Sequence, residues 1–322
     1  MRLGAVVITY NSQGHVGACL RSLRTEDFPG GIVVVDNASS DSTLEEVRAL
    51  PYVQVIANAR NEGFAAAANQ GFTALASAEA ILLLNPDVRL ASAPDILAAS
   101  FADPSVAAAG GMLLGDDGSP QTGFQFRRFP TPAALAFETL GLNRLFPSNP
   151  VNRNYRALDL SVHEPAEGIQ PAGACVLIRA SAWRAAGGFD ERFHPLWFED
   201  VDLLRRFSCG GWRILYLPDF CAFHEGAHSI GSLTWSARHL YWYNNLVRYG
   251  SLHFGLAGRL LVCGAVVLGV LPRVVLGMCL ERSVQPASVY GRLVRSSLAY
   301  LLVGRQNALP VRSESEDFAH RV

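Results

Sequence analysis

The chain has 322 residues, 50% of them hydrophobic and 17% charged. It can therefore bury a large core, and global disorder, a collagen-like chain and a disulfide-stapled miniprotein are excluded. The net charge of −1 hides an acidic body, −7 over residues 1–237, and a basic tail, +6 from Arg238 onward. This asymmetry predicts a surface partner for the tail: a membrane rather than nucleic acid, because its arginines alternate with Leu and Val instead of polar residues and stacking aromatics.

Length predicts about two domains, although one elaborated α/β domain reaches this size. All 27 basic residues are arginine, a compositional bias. Cys19, Cys175, Cys209, Cys221, Cys263 and Cys279 form no CxxC pair, as expected of reduced intracellular thiols rather than a disulfide framework or zinc site. Met1-Arg2-Leu3-Gly4 leads straight into a strand-like run without signal-peptide architecture.

Ala5–Ile8, Ile32–Val35, Val53–Ala57 and Ala80–Leu84 read as buried parallel strands. Between them His15–Arg24, Ser42–Leu50 and Gly63–Ala76 have helical character, the second opening on the capping signature Asp41-Ser42-Thr43-Leu44-Glu45. Strands alternating with helices predict a doubly wound, parallel α/β sheet whose crevice lies at the carboxyl ends of the strands. Those ends carry Thr9-Tyr10-Asn11-Ser12, then Asp36 to Asp41, then Asn58 to Asn61, then Asn85-Pro86-Asp87. Asx and Ser are ordinary turn residues one at a time, but four polar strand ends on one edge describe a ligand crevice.

Further on, Asp116–Ser119 reads as a turn, Gln125–Pro132 as a basic aromatic stretch and Ala133–Leu145 as helical. Pro171–Ile178 is a strand entered through small residues. Glu199-Asp200-Val201-Asp202 is the densest acid cluster, set among Trp197, Phe198, Leu203 and Leu204. Adjacent carboxylates in that setting raise at least one pKa, which suits a general base; acids at a helix start also complement its dipole, the role expected of Asp202 with Arg205 or Arg206. From Ser236 the chain reads as helical. Its run Leu260–Leu271 holds twelve uncharged residues before Pro272-Arg273, short of the roughly 20 that span a bilayer. Helices lying in the membrane interface are expected; the alternative is a helical domain packing on its own core.

Ala5–Ser12 (AVVITYNS), Val33–Asp41 (VVVDNASSD), Asn61–Asn69 (NEGFAAAAN), Leu84–Val88 (LNPDV), Gly173–Ile178 and Trp197–Arg206 (WFEDVDLLRR) together resemble the family 2 inverting glycosyltransferases of GT-A fold. Within that family they look most like the rhamnosyltransferases of bacterial cell-surface polysaccharide synthesis. Arg127–Thr131 (RRFPT), after a Gly-Ser-Pro-Gln turn, resembles the same branch. The resemblance covers residues 3 to 235; the tail shares only general character.

The resemblance implies a Rossmann-like, mainly parallel sheet flanked by helices over residues 1–235, with a nucleotide-binding half (1–103) and an acceptor half (104–235). A helical, membrane-associating region follows at 236–322. Thr9, Tyr10 and Asn11 would line the nucleotide pocket, Asp36 would accept the N3–H of uracil or thymine, and Asn37 is a further nucleotide contact; the plain alternative for Asp36-Asn37 is a turn and cap. Asn61, Gly63 and Asn69 are further nucleotide contacts, Gly63 sitting at a helix start whose free N–H groups favour polar ligands, while Ala65–Ala68 pack the helix. Asn85 replaces the first acid of the family's DxD motif. Asp87 would bind a divalent cation, Mn²⁺ or Mg²⁺, with His224 as second ligand in preference to His228. Asp200 is the implied base, with Glu199 next in line. Gly173 and Ala174 bring backbone close to the donor sugar or acceptor, and Trp197 stacks on a sugar or belongs to the core.

The implied partners are dTDP-L-rhamnose and a polyprenyl-diphosphate-linked saccharide, at the cytoplasmic face of the inner membrane; a homo-oligomer is compatible with this. The alternatives are a UDP-hexose or UDP-N-acetylhexosamine donor, since Asp36 does not separate uracil from thymine, and a non-catalytic nucleotide-sugar-binding assembly protein, since Asn85 removes an acid. A Rossmann dehydrogenase is disfavoured because no GxGxxG follows the first strand.

Overall fold

In a computed structural model that describes residues 1–226 and 234–303, the N-terminal apolar runs become β1 (Leu3–Thr9), β2 (Ile32–Asp36), β3 (Val53–Ala57) and β4 (Ala80–Leu84); β3, read as buried, is half-exposed at the edge of its sheet. Their connections carry α1 (Val16–Ser22), α2 (Thr43–Arg48) and α3 (Phe64–Ala74). Next come β5 (Val88–Leu90), α4 (Asp95–Ala99), β6 (Val106–Leu114), β7 (Phe126–Arg127), α5 (Pro132–Thr139), α6 (Leu142–Leu145) and α7 (Pro150–Tyr155). They lead into β8 (Ala166–Glu167), β9 (Gln170–Pro171), β10 (Cys175–Arg179), α8 (Ala180–Ala185), α9 (Glu199–Cys209) and β11 (Arg213–His224). The described part of the tail is α10 (Trp235–His253), α11 (Leu256–Glu281) and α12 (Gln285–Val303).

Two units divide these elements. The first takes Met1–Phe129, Arg156–Asp190 and the described residues of Glu199–Ser232; the second takes Pro130–Tyr155, Glu191–Phe198 and the described residues of Leu233–Val322.

The first unit is built on a sheet in the order β3-β2-β1-β4-β10-β6-β11-β5, with β8 beside β11. β1 to β4 pair in parallel as their sequence predicts. The sheet as a whole is mixed rather than mainly parallel: β10 runs antiparallel to both β4 and β6, and β5 and β8 run antiparallel to β11. A strand buried on both faces is apolar throughout, so its composition carries no mark of direction. The Pro171–Ile178 run also divides, into β9 and β10, because Ala172 to Ala174 leave the ladder where β4 ends.

Alternation assigns the two faces. Ala5, Val7, Val34, Leu82 and Leu84 pack with Val16 and Leu20 of α1. Val6, Ile8, Val33, Val35, Ile81 and Leu83 pack with Ala65, Ala68 and Phe72 of α3. Each such Val, Leu or Ile removed from water contributes about 1.5–3 kcal/mol. The small residues of α3 allow a close approach: a Cβ on Gly71 would lie 2.5 Å from Val6 Cγ1.

In the second unit, Leu240 and Leu246 of α10, Val262 and Val266 of α11, and Val289 and Leu293 of α12 are buried. Arg248 is buried as well, its guanidinium 5.7 Å from the Tyr300 ring centre. Arg273 donates to the carbonyls of Gly269 and Thr139 and lies over Tyr243. The described tail thus packs on a core of its own, the alternative raised by its sequence. Pro272 does not end the helix; α11 runs through it and bends by 44° between Leu256–Val270 and Pro272–Leu280, as a missing N–H and a ring clash require. Among the described residues no single helix is long and apolar enough to cross a membrane; that bent pair meets the length and composition together.

Candidate active site

Chain order sets the crevice. From β1 the chain moves to β2 and β3 on one side and returns to β4 on the other, so β1 and β4 diverge at the topological switch where open α/β sheets bind ligands. Thr9 is buried at the end of β1 and donates its hydroxyl to Asp36 Oδ1 at 2.8 Å. The same oxygen accepts the Ser39 hydroxyl at 2.5 Å, and Oδ2 accepts the Ser39 N–H at 2.9 Å. Asp36 is completely buried, and three of its roughly four acceptor positions are filled. Asn11 has φ +49° and takes the Ser40 N–H on Oδ1 at 2.8 Å, while its own N–H goes to Ser39 Oγ. Tyr10, half-buried, donates its N–H to Ser12 Oγ. The helix cap falls to Asp41, whose Oδ1 accepts from Thr43 N–H and Oγ1; Ser42 makes no side-chain cap.

Four asparagines hold the next segment. Asn37, buried, donates to Gly63 O at 3.2 Å and accepts from Asn58 at 2.9 Å. Asn61 accepts the Gly63 N–H at 2.9 Å, and Gly63 takes φ +85° at the start of α3. Asn69 grips the Phe189 backbone with both ends of its amide, each bond 2.9 Å. The side chains of Asn37 and Asn69 are thus engaged within the fold, and they shape the loops around the crevice.

The entry to β10 joins two motifs. Ala174 O accepts the Asn85 N–H at 2.9 Å, and Gly173 N–H donates to Asp200 Oδ2 at 3.0 Å. A Cβ on Gly173 would sit 2.5 Å from that oxygen, so only glycine admits the carboxylate here. Asp200 Oδ1 accepts the Val201 N–H at 2.7 Å. Burial raises the Asp200 pKa above the ordinary aspartate value, opposed by the N–H groups of Val201, Gly173 and Asp200 itself and by the charge of Arg127. Glu199 is buried beside it, and burial, reinforced by the charge of Asp200, drives its pKa well above the usual range. Asp202 is a structural acid bound to Arg206 at 2.8 Å, whereas Arg205 lies over the Phe129 ring.

Asp87 and His224 come together from 137 residues apart: both are buried, and His224 Nε2 lies 3.8 Å from Asp87 Oδ2. Gly226 N–H donates to Oδ2 at 3.1 Å, and Asp87 Oδ1 is buried with no hydrogen-bond partner among the described residues. Burial lowers the His224 pKa, against the pull of Asp87 and Glu225. Among the described residues no three His, Cys, Asp or Glu side chains gather as a metal cluster. His228 lies outside the described residues.

Residues 2–245 match the family described as glycosyltransferase-like family 2. The chain belongs to that family. It is 30% identical over 243 residues to the N-acetylglucosaminyl-diphospho-decaprenol L-rhamnosyltransferase of Mycobacterium tuberculosis, covering 71% of this chain and 78% of the relative. In fold it is similar to S. aureus TarS 1-349 in complex with UDP-GlcNAc (TM-score 0.55, 17% identity, 94% of this chain and 82% of the other). It also resembles GalNAc-T7 with UDP, GalNAc and Mn²⁺ (TM-score 0.52, 16% identity, 78% of this chain), where it spans about half of that chain, 48%. This family-2 chain is therefore a glycosyltransferase of GT-A fold.

In the glycosyltransferase, Trp197 belongs to the second unit, and the chain passes to the first between Phe198 and Glu199. Trp197 and Phe198 take φ +78° and +74°, a conformation that costs bulky residues about 1–3 kcal/mol each. Phe198 packs on Trp242 and Tyr249, and Asn245 donates to the carbonyls of His194 and Leu196 at 3.3 and 2.8 Å. Sequence reasoning missed Asn245, whose local context shows nothing of its partners. It also passed over Gln121 and Phe124, although Gln121 is the last residue of the Gly-Ser-Pro-Gln turn that carried part of the resemblance.

Proposed function

We propose that this glycosyltransferase moves a sugar from a pyrimidine nucleoside-diphosphate donor onto a lipid-linked saccharide in one inverting displacement, with Asp200 as the base. The observation that carries this is the pair of N–H groups, from Gly173 and Val201, that aim the Asp200 carboxylate, one on each oxygen. In the step, the acceptor oxygen forms its bond to the anomeric carbon as the bond to the diphosphate oxygen breaks. The hydroxyl proton passes to Asp200 and the electron pair leaves with the nucleoside diphosphate. A carboxylate whose pKa is raised by burial holds that proton better than an exposed one. Glu199 serves as its neighbour in reserve.

A divalent cation is the cofactor of this reading, Mn²⁺ being present in the GalNAc-T7 structure. The residues fit it: Asp87 Oδ1 is buried without a partner, and His224 Nε2 faces the same carboxylate. Carboxylate and imidazole suit Mn²⁺, and two protein ligands leave room for donor phosphates. When bound, the cation neutralises the departing diphosphate. Thr9, Tyr10, Asn11, Asn61, Gly63 and Asn85 border the nucleotide in this reading, in the half spanning residues 1–103; residues 104–235 serve the acceptor.

L-Rhamnose from dTDP-rhamnose is the donor supported by the mycobacterial relative's name. A UDP-hexose or UDP-N-acetylhexosamine is the second reading, which Asp36 admits equally: a buried acceptor with one position left meets the same imide N–H in uracil and thymine. The membrane is the proposed surface partner, at its cytoplasmic face, through α11. The exposed Leu261, Leu268, Val275 and Leu276 recur there at helical spacing.

The test is turnover by the purified full-length protein with Mn²⁺, comparing dTDP-rhamnose with UDP-sugars, with and without a lipid-diphosphate-GlcNAc acceptor. Acceptor-dependent dTDP release that disappears in Asp200→Asn is expected. Release of UDP instead keeps the mechanism and changes the donor.

A further inference from the structure

We infer that Gln121 is a positioning residue that holds His224 in the Nδ1–H tautomer, with the bare Nε2 turned toward Asp87. One end of the Gln121 amide lies 2.7 Å from the His224 carbonyl oxygen. A carbonyl only accepts, so that end is the NH₂ group. The other end, the amide oxygen, then faces His224 Nδ1 at 2.9 Å. An amide oxygen also only accepts, so Nδ1 carries the hydrogen. The remaining ring nitrogen stands 3.8 Å from Asp87 Oδ2, too far for an N–H···O bond, while that oxygen already accepts the Gly226 N–H.

Two further contacts keep the ring in place. Phe124 stacks on the imidazole, with centroids 5.2 Å apart and planes within 6°. Gln121 is itself anchored to the sheet by its N–H, which donates to Leu113 O at 2.8 Å. The result is a pair of electron-rich atoms, Nε2 and the carboxylate, facing each other with no proton between them. Such a pair attracts a cation, and a hydrogen bond to the opposite ring nitrogen is how proteins orient a metal-binding imidazole. The inference rests on the reading of Asp87 and His224 as cation ligands, and it names the residue that makes His224 competent for that role.

Two measurements on the full-length protein separate the inference from that reading. ¹⁵N NMR of labelled histidine without metal, with His224 assigned by difference against His224→Gln, reports the tautomer; Mn²⁺ titration followed by EPR reports affinity. The wild type is expected to show Nδ1–H. Gln121→Met is expected to release the ring to a tautomer mixture and to weaken Mn²⁺ about 10–100-fold. Gln121→Glu keeps an acceptor opposite Nδ1 but gives up the donor to the His224 carbonyl, so it separates the two bonds. Nδ1–H retained in this variant and lost in Gln121→Met assigns the tautomer to the acceptor, and its loss in Gln121→Glu as well leaves the Met variant's tautomer and Mn²⁺ readouts to decide. A wild type with Nε2–H, or a folded Gln121→Met with unchanged tautomer and Mn²⁺ affinity, overturns the inference. A wild type with Nδ1–H and no Mn²⁺ affinity supports the tautomer assignment and overturns the cation reading instead.

Discussion

Asp200 and Gly173 make the sharpest claims, because they meet in one contact, the Gly173 N–H on Asp200 Oδ2. Replacing Asp200 by Asn keeps the shape but removes the proton acceptor. Turnover should fall about 10²–10⁴-fold while nucleotide affinity by calorimetry stays put; equal losses in both would assign Asp200 to binding instead. The pH profile follows from the raised pKa of Asp200. A base must be deprotonated to act, so kcat/KM should fall as pH drops through an acid limb above the ordinary aspartate value, and a limb at or below that value would contradict the assignment. Gly173→Ala puts a carbon 2.5 Å from Asp200 Oδ2, and the carboxylate must move. Misplacement on the ångström scale costs up to about 10²-fold, so kcat should drop with little change in donor KM. Asn37 and Asn69 belong to the same scale: the family resemblance marks them as nucleotide contacts, and in the fold their amides bond to Gly63, Asn58 and Phe189.

Between elements, the tight seam of α3 on β1 is a packing device with a measurable signature. The Gly71 position has Val6 methyl carbons 2.5 and 2.9 Å from an added Cβ, so Gly71→Ala should destabilise by about 1–3 kcal/mol through overpacking. Adding Val6→Ala removes the clash, and chemical denaturation should find the double variant more stable than additivity predicts. An additive result would mean that the helix simply shifts. The antiparallel β10 is an element-scale feature with a chemical consequence. Because it runs back from the end of β4, the residues leading into it, Gly173 and Ala174, tie the Asn85 loop to Asp200; a parallel strand would start at the opposite edge of the sheet.

For the whole molecule, the open matter is what α11 faces. Its outward Leu268 and Val275 are 67% and 64% exposed, and burying such side chains in a bilayer interface is favourable. Full-length protein should therefore sediment with anionic vesicles, and Leu268→Glu with Val275→Glu should abolish sedimentation without lowering Tm. Unchanged sedimentation would exclude this face as the membrane contact.

The sequence by itself determined the parallel pairing of β1 to β4 and the family, because apolar runs alternating with helices and the polar residues that follow them are local signals; it did not show that β3, read as buried, is a half-exposed strand at the sheet edge. It also marked Asp87, His224, Glu199 and Asp200. Tertiary structure alone decided the direction of β10, since a strand apolar on both faces looks the same either way. It decided that the tail buries a core of its own, with Arg248 inside, because a shared apolar periodicity serves a membrane or a neighbouring helix equally. It decided, too, which asparagines hold loops and which glutamine orients His224. Hydrogen bonds between residues 103 or 120 apart depend on where the chain returns, and no local pattern records that.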